Sequence, residues 1–222
     1  MLGGLFPGQA YMMSSTHYQI NADSINVGGV KQTSASYKSE DTIGESGTGD
    51  LSSASYKVSA GYQAMWDYPP GLAFSINGNN AALGTLTTAA ASTATTGFSI
   101  SSNASNGYVV QAIGNTLASG PNTIDAITVP ATSSPGSKQF GMNLVYNTSP
   151  NVGANPSGGV GAAATGYGSS NNFKFVSGDS IAGSSIYSQS TTFTISYLGN
   201  ISTATPSGNY STSLTLIATA KF

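Results

Sequence analysis

Along residues 72–222 apolar and polar side chains alternate with a period of two, the mark of strands that bury one face. The clearest stretch is the last, "NYSTSLTLIATAKF". Tyr210, Leu214, Leu216, Ala218, Ala220 and Phe222 fall on one face, and Ser211, Ser213, Thr215, Thr219 and Lys221 on the other, with Ile217 out of phase. "TTFTISYLG" repeats the pattern through Phe193, Ile195 and Tyr197, and "QFGMNLVYN" through Phe140, Met142, Leu144 and Tyr146. "GFSIS" and "GYVVQAIG" read as two more strands joined across the turn formers "SNASN", while "LAFSING" and "ALGTLT" open this region. About eight or nine short strands between Gly/Asn/Ser/Pro loops predict an all-β body, an Ig-like or jelly-roll-like two-sheet sandwich. The tract "TTAAASTATT" at 87–96 reads as an extended loop rather than a short helix. The low-complexity run at 148–171 reads as a mobile surface excursion.

The front of the chain has a different rhythm. "SSTHYQ", "TSASYK" and "SSASYK" place Tyr18, Tyr37 and Tyr56 nineteen residues apart. Each repeat offers a strand ("YQI", "YKS", "YKVSA") followed by a Gly-rich turn. A unit this small cannot bury its own apolar face, so it must stack on another unit or another sheet. Tyr suits that role, because it buries a ring while its hydroxyl reaches a polar partner. We read residues 1–65 as an N-terminal extended β arm, of which 1–13 are a loose apolar leader. Residues 66–71, "WDYPPG", are a linker, since Pro69 and Pro70 cannot donate to a sheet ladder. Residues 72–222 are the body.

Composition narrows the classes of function. Charged residues make up 6% of the 222 and every cation is Lys, where soluble domains carry roughly 25% charge. Clustered Lys/Arg is what displaces phosphate counterions, so a net charge of −2 with so few cations argues against nucleic-acid binding. A surface of hydroxyls and amides meets a copy of itself without like-charge repulsion, which suits an assembling, exported protein. There is no cysteine, which excludes disulfides, thiolate metal sites and cysteine nucleophiles. No apolar run approaches the roughly eighteen residues that a spanning helix needs. "MLGGLFPGQA" lacks the basic start of a full signal peptide, and its end resembles the tail of one.

Candidate chemistry is sparse. His17 has no second His for a metal and no assembled Ser-His-Asp set. Glu40 and Asp41 are neighbours, which in a strand point to opposite faces and make a poor acid/base couple. Asp41, Glu45 and Asp50 are too widely spaced for an EF-hand, so solvated turns are favoured over bound Ca²⁺. The glycine runs match no phosphate-binding fingerprint. The sequons at Asn103, Asn147, Asn200 and Asn209 read as chance in so Asn- and Ser-rich a chain. The expectation is therefore no enzyme, no cofactor and no metal.

Two stretches carry a resemblance. The arm, "SSTHYQINADSINVGG…SASYKSEDTIGESGTG…SASYKVSAGYQ", resembles a recurrent N-terminal module in cell-surface proteins of candidate-phylum bacteria. The ending, with Pro206, Gly208, Tyr210 and Leu214, resembles the last strands of pilin-like and WxL-type surface β-sandwiches. The chain departs from the WxL type in having no Trp-x-Leu motif. The resemblance implies export to the cell surface, a sandwich fold and assembly by strand exchange. The expected function is a structural subunit of an extracellular filament, pilus or surface layer, a head-to-tail homopolymer built by β-augmentation between copies. The expected subunit interface is Tyr18, Ile20, Ile25, Val27, Tyr37, Ile43, Tyr56, Val58 and Tyr62. The alternative is a monomeric adhesin or glycan-binding module, in which exposed tyrosines would serve as sugar platforms.

Overall fold

The structure is a computed structural model. It describes residues 71–222 in full and, before them, Gly61 and the backbone of six short strands. The chain divides into two compact units, Met1–Pro69 and Pro70–Phe222.

In the first unit the strands are β1 (Met13–Ser14), β2 (Gln19–Ile20), β3 (Lys31–Thr33), β4 (Lys38–Glu40), β5 (Gly49–Ser52) and β6 (Lys57–Ala60). They join as three antiparallel pairs, β1 with β2, β3 with β4 and β5 with β6. The innermost partners are Ser14 with Gln19, Thr33 with Lys38 and Ser52 with Lys57. Each pair thus brackets the four residues of the repeated phrase that end in its Tyr, and the nineteen-residue period is the period of a strand pair. This corrects the expectation of one strand per repeat. Each strand after a Tyr already has a partner just upstream, because an antiparallel neighbour four residues away costs little loop entropy. Of the expected interface residues, Ile20 pairs with Met13 and Val58 with Leu51 through the backbone. Tyr18, Ile25, Val27, Tyr37, Ile43, Tyr56 and Tyr62 lie outside the described residues.

The second unit is all-β. Its long strands are β7 (Leu72–Asn77), β8 (Ser92–Ser102), β9 (Tyr108–Gly114), β12 (Gln139–Asn143), β17 (Ser180–Ser184), β18 (Ser188–Asn200) and β19 (Leu214–Ala220). Six two-residue strands lie among them: β10 (Ala118–Ser119), β11 (Asn122–Thr123), β13 (Asn147–Thr148), β14 (Asn151–Val152), β15 (Ser157–Gly158) and β16 (Ala162–Ala163). One antiparallel sheet runs β12-β18-β8-β7, with β15 also on β18, and the other runs β16-β17-β9-β19. Their inner faces share one core. Phe98, Ile100, Phe140, Met142, Phe193 and Ile195 come from the first sheet, and Tyr108, Val110, Ala112 and Ile181 from the second. Phe98 and Phe193 stack at 4.9 Å between centroids, directly opposite each other in the β8–β18 register. An aromatic pair across neighbouring strands both fills the space between the sheets and pins the register.

Three local expectations change. Thr93–Thr96 belong to β8, where Thr packs as a β-branched strand former, so 87–96 is only partly loop. "ALGTLT" is not a strand; Leu83 and Leu86 instead plug down onto the core. Residues 148–171 are not a free excursion, because they are tied down by amides. The buried Asn143 donates to the carbonyls of Ser169 (2.8 Å) and Asn172 (2.7 Å), and Asn147 accepts from the Asn171 backbone N–H (2.7 Å). Tyr167 is fully buried, and its hydroxyl donates to Asp179 (3.1 Å), which Lys174 also reaches (2.6 Å). Burial, together with the nearby carboxylate of Asp179, pushes the Tyr167 phenol above the ordinary tyrosine range. Asn147 and Asn200 are themselves buried, so neither sequon is open to a sugar.

Truncating the central ring should be severe: Phe193→Ala is expected to lower unfolding free energy by about 3–5 kcal/mol in a denaturant titration. Leu216→Ala, on half-buried β19, should cost less than about 2 kcal/mol in the same titration. Equal losses at the two positions would contradict the burial described here.

Candidate functional site

The two flanks of the sandwich differ. Beyond β12 and β17 the core is covered by the connections between strands: Ile124, Ile127, Tyr167, Phe173 and Phe175 are all buried there. Short bridges hold this cover, Ala126 to Phe140 and Lys174 to Met142. At the opposite flank lie β7 and β19, the last strands of their sheets, and neither has a second ladder partner among the described residues. They are also the first and last strands of the unit.

Between β7 and β19 lies a groove of about 1140 Å³. Its floor is formed by core side chains seen from the side, among them Phe140, Tyr197 and Leu117. Phe74 and Ile76 project into it from β7, and Leu214 and Leu216 from β19. The loops 78–86 and 205–212 close its ends with Asn79, Asn80, Ser207 and Asn209. On inner strands the core-facing positions are buried, as at Tyr108, Val110 and Ala112 of β9. On β19 the equivalent row, Leu214, Leu216, Ala218 and Ala220, is only half-buried. On β7 Leu72 and Phe74 are half-buried, and Ile76 is 48% exposed. Apolar side chains in strand phase are thus left in contact with water along two adjacent free edges, where one more strand would cover them.

Local chemistry holds the groove in shape. Phe74 packs against Phe98 at 5.6 Å, which ties the groove wall to the central aromatic pair. The Tyr197 hydroxyl shares a hydrogen bond with Thr96 (3.1 Å), and burial pushes its phenol above the ordinary range, so it stays neutral. The Tyr210 hydroxyl donates to the Pro206 carbonyl (2.9 Å) and Thr212 to the Asn115 carbonyl (2.6 Å), which fixes the loop entering β19. At the other wall Gly71 is held to Asn103 both ways: its N–H donates to Asn103 Oδ1 (2.5 Å) and its carbonyl accepts from the Asn103 N–H (3.2 Å). Among the described residues no Asp, Glu, Lys or His lines the groove. It is suited to an uncharged, alternating apolar strand and not to an ion. Among the described residues no group of three metal-ligating side chains comes together.

Sequence reasoning placed the interface in the arm and took the apolar rows of β7 and β19 for ordinary core. No local signal could have found them, because the pairing order that leaves β7 and β19 last in their sheets joins strands far apart in sequence, such as β8 with β18 and β9 with β19. The chain defines a β-sandwich with one flank open. It matches no protein-family model and no curated protein.

An environment-sensitive apolar dye should brighten with the native protein while it is monomeric and its groove is unfilled. Leu216→Asp should remove most of that signal while lowering stability by no more than about 2 kcal/mol, because the position is half-exposed. An unchanged dye signal would mean that the groove is not the apolar surface being read.

Proposed function

We propose that the chain is a structural subunit of an extracellular filament or surface layer, in which the open groove of one copy accepts a strand from the arm of another. The observation that carries this reading is the groove itself: two adjacent strands with no second ladder partner among the described residues lie beside a half-buried apolar row. β-Augmentation uses both features, the backbone for affinity and the alternating side chains for register. A donor at one end of the chain and an acceptor in its body make a heterologous contact, which propagates rather than closes. The low-charge, hydroxyl-rich composition removes like-charge repulsion between copies. It also accords with the resemblance to exported surface sandwiches.

Electron microscopy of the purified full chain should show linear polymers. Removal of residues 1–65 should abolish them while the body retains its thermal transition. The groove carries no charge, so polymer yield should fall by less than about twofold between low salt and about 1 M NaCl, conditions that screen charge pairs almost completely. A soluble monomer that instead binds cell-wall sugars would replace this reading with that of an adhesin.

A further inference from the structure

We infer, resting on that reading, that the strand entering the groove is residues 62–68 of a second copy. Gly61, with a φ of +106°, follows the end of β6. The next stretch, "YQAMWDY", precedes Pro69. It places Tyr62, Ala64, Trp66 and Tyr68 on one face and Gln63, Met65 and Asp67 on the other. It follows β6, the last described strand of the first unit. Its seven positions match the seven residues of β19 and the six of β7. Tyr and Trp carry apolar bodies with polar tips, which suits an apolar floor rimmed by Asn79, Asn80, Ser207 and Asn209. Its one charge, Asp67, falls on the outward face.

The sequence Pro69–Pro70 disfavours a two-residue hairpin back onto the chain's own β7. Gly71 continues the β7–β8 pairing through Asn103, so only Pro69 and Pro70 separate Tyr68 from the ladder. A two-residue hairpin turn needs positive φ at its first or both central positions, and proline is fixed near −65°. A residue that precedes proline is also driven toward extended conformations, which applies to both Tyr68 and Pro69. With that tight return disfavoured, residues 62–68 are assigned to the groove of a second copy.

The absence of cysteine makes the test direct. Gln63→Cys or Met65→Cys is combined, in one full-length chain, with a cysteine at an outward position on either edge: Ala73 or Ser75 of β7, Thr215 or Ile217 of β19. Outward positions leave the apolar face untouched, and directly opposed strand residues meet the distance a disulfide needs. After mild oxidation, at least one pairing should give a covalent ladder on a non-reducing gel. A disulfide confined to the monomer would overturn the inference, as would filaments visible by microscopy that yield no ladder from any pairing; in both cases the filament reading would survive the gel. Absence of filaments from the unmodified chain would sink the filament reading and this inference together. As a second measurement, Trp66→Asp should cut polymer yield roughly tenfold or more, because it buries a carboxylate. Gln63→Asp, on the outward face, should leave yield within about twofold. Equal effects at the two positions would refute the assigned face.

Discussion

A sandwich core has two flanks as well as two faces, and each flank must be covered by something. The rest of this molecule follows from how unequally that is done. The chain between β9 and β17 is spent on one flank, where Ile124, Tyr167, Phe173 and Phe175 are buried against β12 and β18. At the other flank Leu83, Leu86 and Leu117 give partial cover, and among the described residues no strand lies beyond β7 and β19, whose inward rows stay half-exposed. The Phe74–Phe98–Phe193 series links the open flank to the centre, so the groove wall is as fixed as the core behind it. A rigid wall matters, because a groove that collapsed would bury its own apolar row and offer no docking site.

The fold was legible wherever a strand had one wet face. β19, β18 and β12 showed their alternation because Ser and Thr lie opposite Leu, Ile, Phe and Met. The first half of β8 was not legible, since Thr93, Ala94, Thr95 and Thr96 lack the contrast that alternation needs. "ALGTLT" misled for the opposite reason. Leu83 and Leu86 are three apart and both reach the core from an irregular segment, where Leu83 packs beside Gly199. The 148–171 run reads as loop by composition. What fixes it are the amides of Asn143, Asn147 and Asn171, whose partners are carbonyls and N–H groups that composition cannot reveal.

The groove was illegible for a deeper reason. A strand whose inward row is fully covered and one whose row is half-covered have the same sequence pattern; the difference lies in the neighbour that is missing. Only the pairing order shows that β7 and β19 both come last. The arm posed the converse problem. Its three-fold phrase was conspicuous in the sequence and invited a role for every repeat. The pairs β1–β2, β3–β4 and β5–β6 show instead that each phrase is bracketed by two strands that already satisfy one another.

That local pairing narrows what can fill a groove elsewhere. A strand held by a partner offers one free edge, and separating the pair to free the other gives up backbone hydrogen bonds that the new site must replace. A stretch outside the pairs carries no such debt. It must still alternate, avoid internal proline and keep charge off its inward face. Residues 62–68 meet these conditions, whereas "NADSINVGG" and "EDTIGESGTG" fail on glycine and acid content. Proline then sets the direction of travel. On the proposed reading, a dipeptide with fixed φ and no N–H donor disfavours the tight turn that would return the stripe to its own β7, and that constraint favours a polymer over a self-completed monomer.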